Sequence, residues 1–103
     1  MRCIKLKIIY KNNKLQRICE NFGDAKRAYN QEMAERIHLR ISDIKSSSSI
    51  EEMVQHRIGR CHALKGDKKG LFAMDLVHPW RLILSREDDD TCCAKIEKIE
   101  DYH

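Results

Sequence analysis

The sequence has no long hydrophobic run. Short runs such as Ile8-Ile9-Tyr10 and Leu82-Ile83-Leu84 fall far short of the ~20 apolar residues that a membrane-spanning helix needs. The start of the chain, Met1-Arg2-Cys3-Ile4-Lys5-Leu6-Lys7, alternates charged with apolar side chains and lacks the continuous apolar stretch of a secretory signal. The cysteines (Cys3, Cys19, Cys61, Cys92, Cys93) are odd in number, with neither the C-x-x-C nor the C-x-x-H spacing of a zinc site. A phosphate-cradling glycine loop, a G-x-S-x-G and an H-E-x-x-H are also missing. These absences predict a soluble cytoplasmic protein without a membrane partner. Its cysteines are expected to be small buried hydrophobes in a reducing compartment. Strand alternation should point Cys92 and Cys93 to opposite faces.

What is there makes one domain, residues 1–103, with no internal repeat or linker. A chain of this length buries roughly 65% of its unfolded surface, and 42% hydrophobic residues are enough for one modest core. The charge is uneven. Residues 1–69 carry 16 basic and 8 acidic groups, and residues 70–103 carry 4 and 8. One strongly basic flank suits a polyanionic partner such as nucleic acid, although solubility alone accounts for such a balance as well.

Ile4, Leu6 and Ile8 alternate with lysines, as in a strand with one buried face. Leu15, Ile18, Cys19 and Phe22 mark one side of a short helix, which Gly23 is expected to end. Asp24 can cap a second helix from Ala25 to about Lys45, with the apolar stripe Tyr29, Met33, Ile37, Ile41 and Ile44. Ser48 with Glu51, or Ser49 with Glu52, forms a capping box for a third, short helix. After Gly59 the period changes to two. Cys61–Leu64, Leu71–Val77, Trp80–Leu84 and Cys92–Glu100 read as strands, with Arg86–Asp90 as a hairpin loop. Helices first and antiparallel strands after predict an α+β fold, a small sheet with the helices packed on one face.

Several polar residues have little structural use in such a sheet. His62 and Lys65 flank a turn, Arg81 interrupts the apolar strand Trp80–Leu84, and Asp101-Tyr102-His103 closes the sequence. Taken singly, each has a commonplace reading as a surface histidine, a turn lysine, a solvent-facing arginine or a frayed end.

Together they resemble a known family. The run His62-Ala63-Leu64-Lys65-Gly66-Asp67-Lys68-Lys69-Gly70, then Trp80-Arg81-Leu82-Ile83, then Asp101-Tyr102-His103, is similar to the HigB branch of the RelE/ParE toxin superfamily. The likeness is close from about residue 60 onward and holds only in pattern before it. It implies a RelE-like fold and the toxin of a type II toxin–antitoxin pair, a ribosome-dependent endoribonuclease that cuts mRNA in the decoding site and arrests growth. It implies no metal or other cofactor. The implied partner is a HigA-type helix-turn-helix antitoxin, through which alone the toxin meets operator DNA. Site roles carry over to His62, Lys65, Arg81, Asp101, Tyr102 and His103. Two departures, Leu71-Phe72 after Gly70 and Glu100 in place of an apolar residue, are expected to leave that set unaltered.

The residue types suit the implied chemistry. Metal-free RNA cleavage, in which the 2′-hydroxyl attacks its own phosphate, needs a base, an acid and cations for the phosphorane. His62 and His103 are the proton-transfer pair, in either order, with Asp101 orienting His103. Lys65 and Arg81 are the cations, and Tyr102 positions the nucleotide. The alternative is a ParE-like inhibitor of DNA gyrase, which binds a protein on the same fold and needs none of this set.

Overall fold

A computed structural model describes residues 5–87 and 90–101. The expected positions of Cys3, Ile4, Tyr102 and His103 lie outside the described residues, as does part of the Arg86–Asp90 loop. A single five-stranded sheet has the order β1 (Lys7–Tyr10), β5 (Asp90–Asp101), β4 (Trp80–Glu87), β3 (Leu71–Asp75), β2 (His62–Ala63). Only β1 pairs in parallel, alongside β5; the other pairs are antiparallel. Helices α1 (Asn13–Glu20), α2 (Phe22–Ala28), α3 (Gln31–Ser46) and α4 (Ile50–Gln55) lie between β1 and β2 in the chain. The α+β architecture expected from the sequence is the one observed. None of the described helices is long and apolar enough to cross a membrane.

The helical region differs in its breaks. Asn21, not Gly23, ends α1 and caps α2, accepting a hydrogen bond from the Asp24 amide at 3.1 Å. Asn30 caps α3 through the Met33 amide at 2.8 Å. The single helix expected over Ala25–Lys45 is therefore two, because an asparagine oxygen satisfies the amides that open α3. Of the stripe, Met33, Ile37, Ile41 and Ile44 are buried, and Tyr29 packs edge-on against Trp80 at 5.2 Å. At α4 the capping box uses Ser49 and Glu52. The Glu52 amide donates to Ser49 Oγ, and its carboxylate accepts from the Ser48 amide and hydroxyl, all at 3.0 Å.

One irregularity in the sheet decides which residues reach its second face. Ile83 opposes Lys98 but Leu84 opposes Ile96, so Glu97 is an extra residue in β5. Ile96 and Ile99, three apart, both join the core beneath the helices. Strict alternation would have sent Lys98 and Glu100 to that same side; the bulge turns them to the helix-free face, beside Arg81 and Ile83. That face is not bare. Ala73 and Ile83 at its centre are fully buried outside the main cluster.

Cys19 and Cys61 are free thiols, and both they and Cys93 are buried. Burial pushes the Cys19 thiol up to about 12, helped by the Glu20 charge, and the Cys61 thiol up to about 11. Cys93 is buried and Cys92 half-buried, in line with alternation. Cys92 is disulfide-bonded, so the fully reduced set expected from the sequence does not hold at this less buried position.

Candidate active site

The chain enters β2 through a strained turn. Arg57 and Arg60 adopt left-handed backbone (φ 54° and 56°), as does Gly59 between them (φ 59°), at a cost of about 1–2 kcal/mol for each non-glycine residue. Gly59 is required on a second count. A Cβ there would meet the Arg40 side chain at 2.6 Å, which is fixed by its Nε donating to the Asp75 carbonyl at 2.6 Å. The turn aims the Arg60 carbonyl at His62, whose Nδ1 lies 2.9 Å away. A carbonyl only accepts, so Nδ1 carries the proton. In the neutral ring the lone pair is then on Nε2, which makes His62 an oriented proton acceptor.

His62 and Arg81 share a cleft of about 280 Å³ at the end of the sheet, lined also by Arg60, Asp75, His78 and Trp80. A second hollow of about 370 Å³ shares Arg60 and His62 with it and is bounded also by Val54, Arg57 and Cys61. Cross-strand register puts His62 beside Ala73 and Arg81 between Asp75 and Glu100, all on the helix-free face. Among these side chains only Asp75 and Glu100 are acidic, and Asp75 is bridged to Arg60 at 3.3 Å. Arg57, Arg60 and His78 were not singled out from the sequence. A glycine lying between Arg57 and Arg60, a few residues beyond a helix, is the signal that could have found the turn.

Arg81 does not sit on the solvent face as a strand arginine usually does. It is 8% exposed and donates through Nε at 2.6 Å and Nη2 at 2.5 Å to Glu100 Oε2. Lys98 reaches Glu100 Oε1 at 3.2 Å and Lys68 reaches Oε2 at 3.7 Å. Burial would raise the Glu100 carboxyl, but hydrogen bonds from Arg81 and Lys98 and the charges of Arg81 and Lys68 hold it below its ordinary value. The Glu100 departure, expected to be without consequence, therefore engages the site arginine directly.

Lys65 is exposed at the start of the 3₁₀ turn Gly66–Lys68. It makes no ion pair with a described residue; Lys68, three positions on, is the lysine that joins the Arg81 cluster. Asp101 opposes Trp80 at the end of β5, at the same end of the sheet as the cleft. Tyr102 and His103 lie outside the described residues.

Similarity to solved structures extends over nearly the whole chain. It covers 96% of this chain and 98% of the matched chain in the YoeB–YefM complex from Staphylococcus aureus, at 21% identity and TM-score 0.61. The fold is that of the YoeB toxins. The YoeB dimer from the same organism matches at 20% identity, with the same coverage and TM-score 0.60. A YoeB/ParE toxin from Agrobacterium tumefaciens matches at 13%, covering 95% of this chain and all of the other, with TM-score 0.59. No protein-family model and no curated protein matches the sequence. The YoeB-type architecture agrees with the RelE-like fold implied by the motifs, and at these identities it establishes architecture alone.

Proposed function

We propose that the chain is the toxin of a type II toxin–antitoxin pair, of the HigB type, and that it cleaves messenger RNA held in the ribosomal decoding site. The observation that carries this reading is the cleft joining His62 to Arg81. It offers a ring nitrogen able to accept a proton next to guanidinium groups, two of the three requirements of metal-free transesterification. His62 Nε2 takes the proton of the attacking 2′-hydroxyl. His103 then returns a proton to the departing 5′-oxygen, oriented by Asp101, and Tyr102 stacks on the adjoining base. Arg81 and Lys65 stabilise the phosphorane. The products are a 2′,3′-cyclic phosphate and a free 5′-hydroxyl.

The partner is an antitoxin, here of the HigA helix-turn-helix type, and operator DNA is reached only through that complex. The solved YoeB–YefM complex supports a toxin–antitoxin pairing for this architecture. The ribosome supplies the in-line geometry that so small a site cannot impose on a flexible message. Purified toxin mixed with a defined message, with and without ribosomes, tests this. Cleavage only on ribosomes, leaving cyclic phosphate ends, is expected. Rapid cutting of naked RNA refutes ribosome dependence, and DNA breaks with intact messages point to gyrase instead.

A further inference from the structure

Among the described residues of this face, Glu100 is the acidic group that draws several cations to itself. Its two carboxylate oxygens receive the edge of the Arg81 guanidinium and the ammonium groups of Lys98 and Lys68. Among the described residues, these three positive charges outnumber the one negative charge they share. The donors approach two oxygens of one planar anion, as they would approach the two non-bridging oxygens of a phosphodiester. Lys68 and Lys98 are about half exposed, at 48% and 55% of their side chains, while Arg81 and Glu100 are largely covered, at 10% and 17%. The lysines thus form a solvent-accessible rim, and the arginine forms the floor.

We propose that Lys68, Arg81 and Lys98 form the subsite for an RNA phosphate and that Glu100 is a resident competitor, filling it in the free protein until a phosphodiester displaces its carboxylate. This rests on the ribonuclease reading for the identity of the ligand, and it adds a gate and two lysines to that site. The bulge at Glu97 is what makes the arrangement possible, because it rotates both Lys98 and Glu100 onto the face of Arg81. Glu100 is a gating residue, not a catalytic one. The free protein holds its strongest phosphate donor neutralised, and a correctly placed message phosphate must outcompete an intramolecular anion. Weakly held RNA is thereby excluded.

The test uses the full chain and a fully 2′-deoxy hexanucleotide, which lacks the attacking hydroxyl and cannot be cut, with anisotropy as the readout. Glu100→Gln keeps the side-chain shape and removes the competing charge. It should bind on the order of tenfold tighter than the unaltered protein while melting at a lower temperature. A purely supporting role for Glu100 moves both quantities downward, so equal or weaker binding by E100Q overturns the proposal. The unaltered protein gives a second measurement that does not depend on a variant folding. Addition of the hexanucleotide should shift the Arg81 Nε–H resonance, and an unmoved resonance at saturation overturns the proposal. Tighter binding by E100Q with no message cleavage by either protein keeps the gate and removes the nuclease. Cleavage by the unaltered protein with no gain in E100Q binding does the reverse.

Discussion

Replacing Arg81 is the obvious way to disable the site, and it should also unsettle the fold. Arg81→Gln removes two donors from Glu100 Oε2, at 2.6 and 2.5 Å, in a pair whose side chains are only 10% and 17% exposed. Breaking a buried pair on one side commonly costs 3–5 kcal/mol. Here Lys98 and Lys68 remain at 3.2 and 3.7 Å to compensate the stranded carboxylate, so about 2–3 kcal/mol is expected. For a domain of 103 residues the melting entropy converts each kcal/mol into about 4–5 °C, a fall of roughly 8–15 °C. Loss of toxicity in R81Q alone therefore has two explanations, and the double variant Arg81→Met, Glu100→Met separates them. Replacing both partners by apolar side chains of similar reach should restore most of the stability and none of the growth arrest. Thermal melts and a growth assay on the three proteins suffice. A loss below about 0.5 kcal/mol in R81Q, the level of an ordinary surface change, would refute the description of Arg81 as a buried, paired arginine. A stable and fully toxic double variant would remove Arg81 from the site.

Other outcomes follow from the same geometry. His62→Gln should lower cleavage by about 10²–10⁴ with an unchanged melt, since His62 is exposed; single-turnover cleavage on ribosomes checks this. Ser49→Ala should cost about 1 kcal/mol in urea unfolding, because it strips the cap from α4. The Glu20 carboxyl, lowered chiefly by the Tyr10 hydroxyl, and the Glu100 carboxyl, lowered despite burial by Arg81 and Lys98, both lie below their ordinary 4.5 when folded. Their stabilisation is present above the unfolded value and is lost as pH falls through the folded one, so melts should drop below about pH 4.5, and less steeply in E100Q. Removing Tyr102 and His103 should abolish growth arrest and leave the melt in place, since among the described residues the apolar core reaches no further than Ile99.

Much of the architecture was legible because hydrophobic period and burial coincide. Met33, Ile37, Ile41 and Ile44 repeat at helical spacing, and all four are buried against the sheet. The breaks were harder to read. An asparagine cap leaves a weaker mark than glycine, so Gly23 drew the boundary that Asn21 makes. In β5, the spacing of Ile96 and Ile99 is the trace of the bulge, and only the pairing of Leu84 with Ile96 reveals its meaning. The partnership of Arg81 and Glu100 joins residues 19 positions apart through strand register, which no local pattern encodes. Arg57 and Arg60 escaped notice because left-handed backbone is uncommon for arginine. His62 was legible as a residue type. Its proton acceptor atom was not, because that depends on where the Arg60 carbonyl points.

The most direct test of the ribonuclease reading is to induce the protein in bacteria and map the 5′ ends of cellular messages, with His62→Gln induced in parallel. New 5′-hydroxyl ends in phase with codons, within translated regions and absent from the H62Q culture, are the predicted result. Growth arrest with unchanged message ends, or ends that persist in H62Q, would contradict it.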